Sequence, residues 1–169
     1  MQKDLFYKGV TMILDVGCGA SPKGDVNVDL YFEYPHQNVK IHMDIRADAH
    51  YLPFKKRVFS KVIAFEVLEH LKNPHRAILE FKRVAKHEIL LTVPIEPIFF
   101  ILQFLFEKKL YKGEEHGHIH NFSKKRLSKL LISCGLTKFH IHLVFKPISI
   151  FKRRDILKIP RHYRAKVII

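Results

Sequence analysis

A chain of 169 residues suits one domain with a substantial core and is too short for two comfortable ones. Its composition is 47% hydrophobic and 27% charged, ordinary for a soluble globular chain. The longest apolar run, 98–106, is about half of a bilayer span, and two cysteines are too few for a disulfide framework. The net charge of +14 is lopsided: residues 123–169 hold 13 Lys and Arg against the single acid Asp155. Such asymmetry fits either a polyanionic or anionic-surface partner or a lysine-rich solvated face. Asp4, Lys8 and Gly9 interrupt any signal-peptide layout, so the expected location is the cytoplasm.

In chain order, "VTMILDV" (Val10 to Val16) predicts a buried strand closed by glycine. "DVNVDL" predicts a second strand, "VKIHMDI" (Val39 to Ile45) a third and "KVIAFEV" (Lys61 to Val67) a fourth. Asn73-Pro74 marks a helix start, with Asn as N-cap and Pro at the first helical position. Ile78, Phe81, Val84 and Ala85 then share one helical face, and "EILLTVP" (Glu88 to Pro94) is the next strand. The aromatic-rich "FFILQFLFEKKLY" reads as a packing or capping helix, or as an apolar lid or interfacial helix followed by lysines. Ser123 caps a helix carrying Leu127, Leu130, Leu131 and Cys134, and Gly135 ends it. "FHIHLVF" (Phe139 to Phe145) alternates like a half-buried strand, with His140 and His142 on its wet face. Strands alternating with helices predict an α/β fold, a mostly parallel sheet flanked by helices.

Gly17, Cys18 and Gly19 form a G-x-G loop directly after the first strand. Pro22 breaks the dinucleotide pattern G-x-G-x-x-G, and no P-loop is present. Asp15 just ahead of the loop suits a cationic, phosphate-free ligand. Glycines there let the backbone approach that ligand closely. Asp29, closing the second strand, stands where nucleotide folds place the acid that binds ribose hydroxyls.

"ILDVGCG", "NVDL", "ADAHYLPF" and "EVLEHLKNP", in that order, resemble the class I S-adenosylmethionine-dependent methyltransferases, with the nearest likeness to their type 11 branch. The likeness runs on through "GHIHNFSKKRLSKLLISCGL" and covers roughly residues 10 to 145. It implies a Rossmann-like sheet and S-adenosylmethionine as cofactor. It also implies that Asp15, Gly17, Cys18 and Gly19 hold the methionine part, that Asp29 binds the ribose, and that Leu30 lies beside the adenine. Asp48 and Ala49 would meet the adenine amino group and ring, while Phe65 and Glu66 face the sulfonium side. Asp44 competes with Asp48 for its role; the four-residue step from Asp48 to Leu52 favours Asp48.

Two departures stand out. Only "ASPKGD" separates Gly19 from the second strand, where a parallel crossover usually takes a dozen residues or so. The first crossover helix is therefore expected to be truncated to a single turn or an irregular loop over residues 20–25. Few residues precede the first motif, so the site is either open to a large substrate or covered by residues 94–120. The organisation expected is one domain over 1–169, with 94–122 as a cap or lid insertion and 123–169 as its basic C-terminal part.

Methyl transfer from a sulfonium needs position and a desolvated path, and a base only when the nucleophile must lose a proton. Candidates for that base are His70, His118 and His120, with His116 in the same run. Histidines at spacing two share a face on an extended segment; surface or loop packing is the first reading, lining of the substrate entrance the second and a metal site the last, and no metal is expected. The acceptor is expected to be a small or lipid-like molecule. RNA bound through the basic C-terminal third is the alternative, as is a non-catalytic cofactor-binding protein, and a homo-oligomer is left open.

Overall fold

Short, almost continuously apolar strands are what a sheet covered on both faces requires. A computed structural model describes residues 11–34, 39–95, 118–149 and 156–169. Seven strands form one sheet in the order β5-β2-β1-β6-β7-β9-β8. They are β1 (Ile13–Val16), β2 (Val26–Asp29), β5 (Ile45–Arg46), β6 (Phe59–Phe65), β7 (Ala85–Pro94), β8 (Phe139–Ser149) and β9 (Ile156–Ile168). β1, β2, β5, β6 and β7 run parallel to one another, and β9 is antiparallel to both of its neighbours. A two-residue pair, β3 (Glu33–Tyr34) with β4 (Val39–Lys40), stands apart from the main sheet.

Among the described residues, two helices pack together against the sheet. α1 (Pro74–Val84) is capped by the Asn73 side chain, which accepts from the Arg76 N–H. It buries Ala77, Ile78, Phe81 and Val84 completely. α2 (Lys124–Ser133) is capped by Ser123 and buries Leu127 and Leu131. Together with Leu14, Val62, Ile89, Leu91, Ala165 and Val167 these residues make one core. Truncating Phe81 to Ala in such a core costs about 3–5 kcal/mol.

The expected truncation of the first crossover is found: residues 17–25 contain no helix. Side chains replace it as the fastening. Asp15 Oδ2 accepts from the Lys23 N–H at 2.8 Å, and Asp25 Oδ2 accepts from the Ile13 N–H at 2.8 Å. Asn27 Oδ1 takes the Gly24 N–H at 3.0 Å. The connection is so tight that a Cβ on Gly24 would lie 2.8 Å from both Asp15 N and Val26 O, which only glycine avoids.

Three expectations need correction. The strand expected over Val39 to Ile45 is split into β4 and β5. Asp44 causes the break, because its carboxylate accepts from the Asn27 N–H and side-chain amide, both at 2.8 Å, instead of leaving the segment to a ladder. Ala85, expected on the helical face, is the helix C-cap with extended backbone and opens β7. β9 has no counterpart among the expected strands, because its lysines and arginines read as a basic surface segment. The expected helix at 99–111 and His116 lie outside the described residues, as does most of the expected 94–122 lid. Among the described residues, no helix is long and apolar enough to cross a membrane.

Candidate active site

In open parallel sheets, ligands collect at the carboxyl ends of the strands, where the strand order reverses. Here β1 lies between β2 and β6 and the chain reverses around it. At its end Gly17 turns with φ +68°, and its N–H donates to Val28 O at 2.8 Å. A Cβ there would stand 2.5 Å from Val67 Cγ2, so the glycine loop rests directly on the segment following β6. The Gly19 N–H donates to Asp29 Oδ2 at 3.0 Å, tying the loop to the end of β2.

Asp29 is buried, and its Oδ1 also accepts from the Leu30 and Tyr31 N–H groups at 2.7 and 3.3 Å. Three backbone donors leave room for one further donor at a carboxylate with about four acceptor positions. Beside it Leu30, Tyr31 and Phe32 expose large apolar side chains, with the Arg46 guanidinium 5.1 Å from the Phe32 ring centre. Asp15 is buried against the loop, and burial pushes its carboxyl above the ordinary range despite the Lys23 N–H. Cys18 is buried as well; desolvation, then the Asp29 and Asp15 charges, push its thiol up to about 11. That thiol is protonated and unreactive at neutral pH.

On the far side of β2, burial raises the Asp48 carboxyl. The His50 N–H and ring, which meet Asp48 Oδ1 at 2.8 and 2.6 Å, outweigh it and hold the group below its ordinary value. Ala49 and Leu52 are buried next to it. The loop from Leu52 to Phe54 is clamped from α1. Glu80 Oε2 accepts from the Leu52 N–H at 2.9 Å, and Arg83 donates to the Leu52 and Phe54 carbonyls at 2.8 and 2.6 Å. Arg83 also ion-pairs with Glu80 at 2.7 Å, and that hydrogen bond, foremost, lowers the Glu80 carboxyl. Neither Glu80 nor Arg83 is foreseeable from a motif, although their i,i+3 spacing on a helix permits the pair.

At the end of β6, Glu66 adopts φ +56°, a left-handed conformation rare for a side-chain-bearing residue. Its carboxylate is held from two strands. Thr92 Oγ1 donates to Oε1 at 2.5 Å, and His162 Nδ1 meets Oε2 at 2.8 Å. Thr92 and His162 escape sequence reasoning because the sheet register alone aligns them, Thr92 with Phe65 and Pro94 with His162.

Beyond Glu66 a single 3₁₀ turn, Leu68–His70, carries Glu69 fully buried and His70 exposed. The Ile119 and His120 N–H groups both donate to Glu69 O, at 2.9 and 3.1 Å. The rings of His70 and His118 meet edge to face, with centres 4.6 Å apart. The three histidines singled out in the sequence thus gather around Glu69. His118, Ile119, His120, Asn121, Phe122 and Arg126 line a shallow groove there.

A family model described as methyltransferase domain matches residues 26–92, a narrower span than the likeness read from the sequence, and one that begins after the glycine loop. No curated protein matches the chain. Solved structures match along nearly all of it at low identity. A SAM-dependent methyltransferase from Thermotoga maritima is 14% identical, with TM-score 0.63, covering 92% of this chain and 81% of that one. One from Archaeoglobus fulgidus is 15% identical, with TM-score 0.62, covering 97% and 88%. The magnesium protoporphyrin IX methyltransferase of Synechocystis, solved with bound SAH, is 15% identical, with TM-score 0.53, covering 94% and 74%. Residues 26–92 thus resemble a methyltransferase domain, and the chain has the fold of the class I S-adenosylmethionine-dependent methyltransferases.

Proposed function

We propose that the chain transfers a methyl group from S-adenosylmethionine to an N, O or C nucleophile of a small or lipid-like acceptor. The observation that carries this reading is the loop from Gly17 to Gly19, fastened by its own N–H to a buried Asp29 at the ends of adjoining parallel strands. The site fits that cofactor. Asp29 keeps a free acceptor position for a ribose hydroxyl, and Gly17, closely packed on Val67, presents backbone rather than a side chain at the loop. Asp15 supplies negative charge for the methionine ammonium, with Cys18 as a small buried neighbour. Leu30 offers an apolar flank to the adenine, and Asp48 with Ala49 offers an acceptor and an N–H at its edge. Asp44 is a poorer candidate, since Asn27 engages its carboxylate.

When bound, the cofactor supplies a sulfonium-activated methyl carbon. The chain's own residues orient and exclude. Phe65 and Glu66 bound the transfer path, and the double tether of Glu66 keeps its carboxylate from wandering into that path. His70, His118 and His120 are the side chains we assign to taking up a proton from an acceptor that has to lose one.

Equilibrium binding of S-adenosylmethionine to Asp29→Ala tests the cofactor site. Affinity is expected to fall by about 100-fold, roughly 3 kcal/mol of charge-assisted hydrogen bonding. Undiminished affinity overturns the assignment. A second reading, methylation of RNA, draws on His140, His142, Arg164 and Lys166, which are exposed and face one another across β8 and β9. Labelled methyl donor incubated with fractionated cell extract separates the readings: label in small molecules or lipids supports the first, label in RNA the second. Cofactor affinity without transfer to any fraction leaves a non-catalytic binding protein.

A further inference from the structure

Glu69, His70 and His118 each offer a ligand atom, and these atoms lie within 4.8 Å of one another. We propose that they form a binding site for one divalent transition-metal ion. Donors on a single zinc ion, at about 2.0–2.1 Å from it, stand roughly 3.3 Å apart, so modest side-chain rotation closes the set. The two histidines come from distant parts of the chain, yet the structure fixes their relation. The His118 segment is fastened to the Glu69 carbonyl by two successive N–H groups. The ligands therefore sit on either side of a rigid backbone junction, which limits the reorganisation that binding requires.

The burial gradient suits an ion arriving from solvent: Glu69 is fully buried, His118 partly and His70 exposed. A carboxylate that deep is sustained by neighbouring charge or by a cation, and a metal among the three serves the carboxylate and both imidazoles together. Two imidazoles and one carboxylate are a borderline donor set. It suits zinc or cobalt better than magnesium, which prefers oxygen, and it leaves a fourth position open.

Its role in catalysis rests on the methyl-transfer reading; its existence does not. With the metal bound, His70 and His118 serve as ligands rather than as proton acceptors: an acceptor hydroxyl at the open position is acidified by the metal and gives its proton to solvent water. Its oxygen pair forms the bond to the methyl carbon while the carbon–sulfur bond breaks and its pair returns to sulfur.

The full chain, stripped with EDTA, is titrated with cobalt(II) chloride and separately with zinc chloride, by calorimetry and, for cobalt, visible absorption. One equivalent is expected to bind well above the background of surface histidines, with cobalt bands of a low-coordinate N/O site. His70→Ala and His118→Ala, neither at a fully buried position, are each expected to weaken binding at least tenfold. Replacement of the exposed His140 and His142 is expected to leave it unchanged. Asp29→Ala is expected to lose cofactor and keep metal, so failure of the cofactor site and failure of the metal site are read separately. Absence of a stoichiometric equivalent, or equal affinity in the His70 and His118 variants, overturns the proposal and leaves a hydrogen-bonded cluster.

Discussion

The two sides of the site are built by different means. On the β1–β2 side, position comes from the backbone: a left-handed Gly17, a Gly24 with no room for a Cβ, and N–H groups aimed at Asp29 within a span of about twenty residues. On the β6–β9 side, position comes from side chains that the sheet brings together from far apart, Glu66 with Thr92 and His162, and Glu69 with the His118 segment. Backbone-made sites tolerate no added atom. Sites made by side chains tolerate change in steps, one hydrogen bond at a time.

That contrast predicts a ranking. Gly17→Ala is expected to have the largest effect. The 2.5 Å approach to Val67 Cγ2 and the φ of +68° each cost roughly 1–3 kcal/mol, and cofactor binding fails with the loop. Adding Val67→Ala relieves the clash but not the φ strain, so thermal unfolding should show a partial rescue. Complete rescue would show that the backbone conformation is not the constraint.

An intermediate effect is expected on the other side. Thr92→Val and His162→Phe each remove one tether of Glu66 and should lower kcat about tenfold while leaving cofactor affinity in place, the loss of about one hydrogen bond to a charged group. Steady-state kinetics with parallel binding measurements decides it; equal losses in affinity would erase the distinction between the two sides.

The smallest expected effect is on stability, through the clamp between them. Glu80 has a folded pKa below its ordinary 4.5, chiefly because of Arg83. Below that value the unfolded chain takes up the proton first. The stabilisation is thus complete above about pH 4.5 and lost as pH falls through the folded pKa. Urea midpoints measured across this range should decline less steeply in Glu80→Gln than in the parent chain. An identical slope would assign the acid sensitivity elsewhere.

The same contrast explains what the sequence discloses. Gly17, Gly19, Asp29, the Asn73 and Ser123 caps and the alternation of strands with helices are local patterns, and each appears where its spacing implies. The shortened crossover was foreseeable too, since Pro22 and Gly24 oppose a helix. Thr92, His162, Glu80 and Arg83 were not, because each acquires its partner from sheet register or helix docking rather than from its neighbours in the chain. β9 was hidden for a related reason. Its buried Ala165 and Val167 alternate with the exposed Arg164 and Lys166, and the charges masked the period of two. The gathering of His70, His118 and His120 about Glu69 was visible only as separate histidines.

The order of synthesis gives β9 one more significance. The ribosome makes β6, β7 and β8 before it, yet β9 must slip between β7 and β8, already made, to reach its place. Until it does, Glu66 lacks His162, its partner 96 residues downstream. A nascent chain can thus assemble its glycine loop early, while the tether on Glu66 stays unfinished until β9 has left the exit tunnel. Completion of the site reports completion of the sheet.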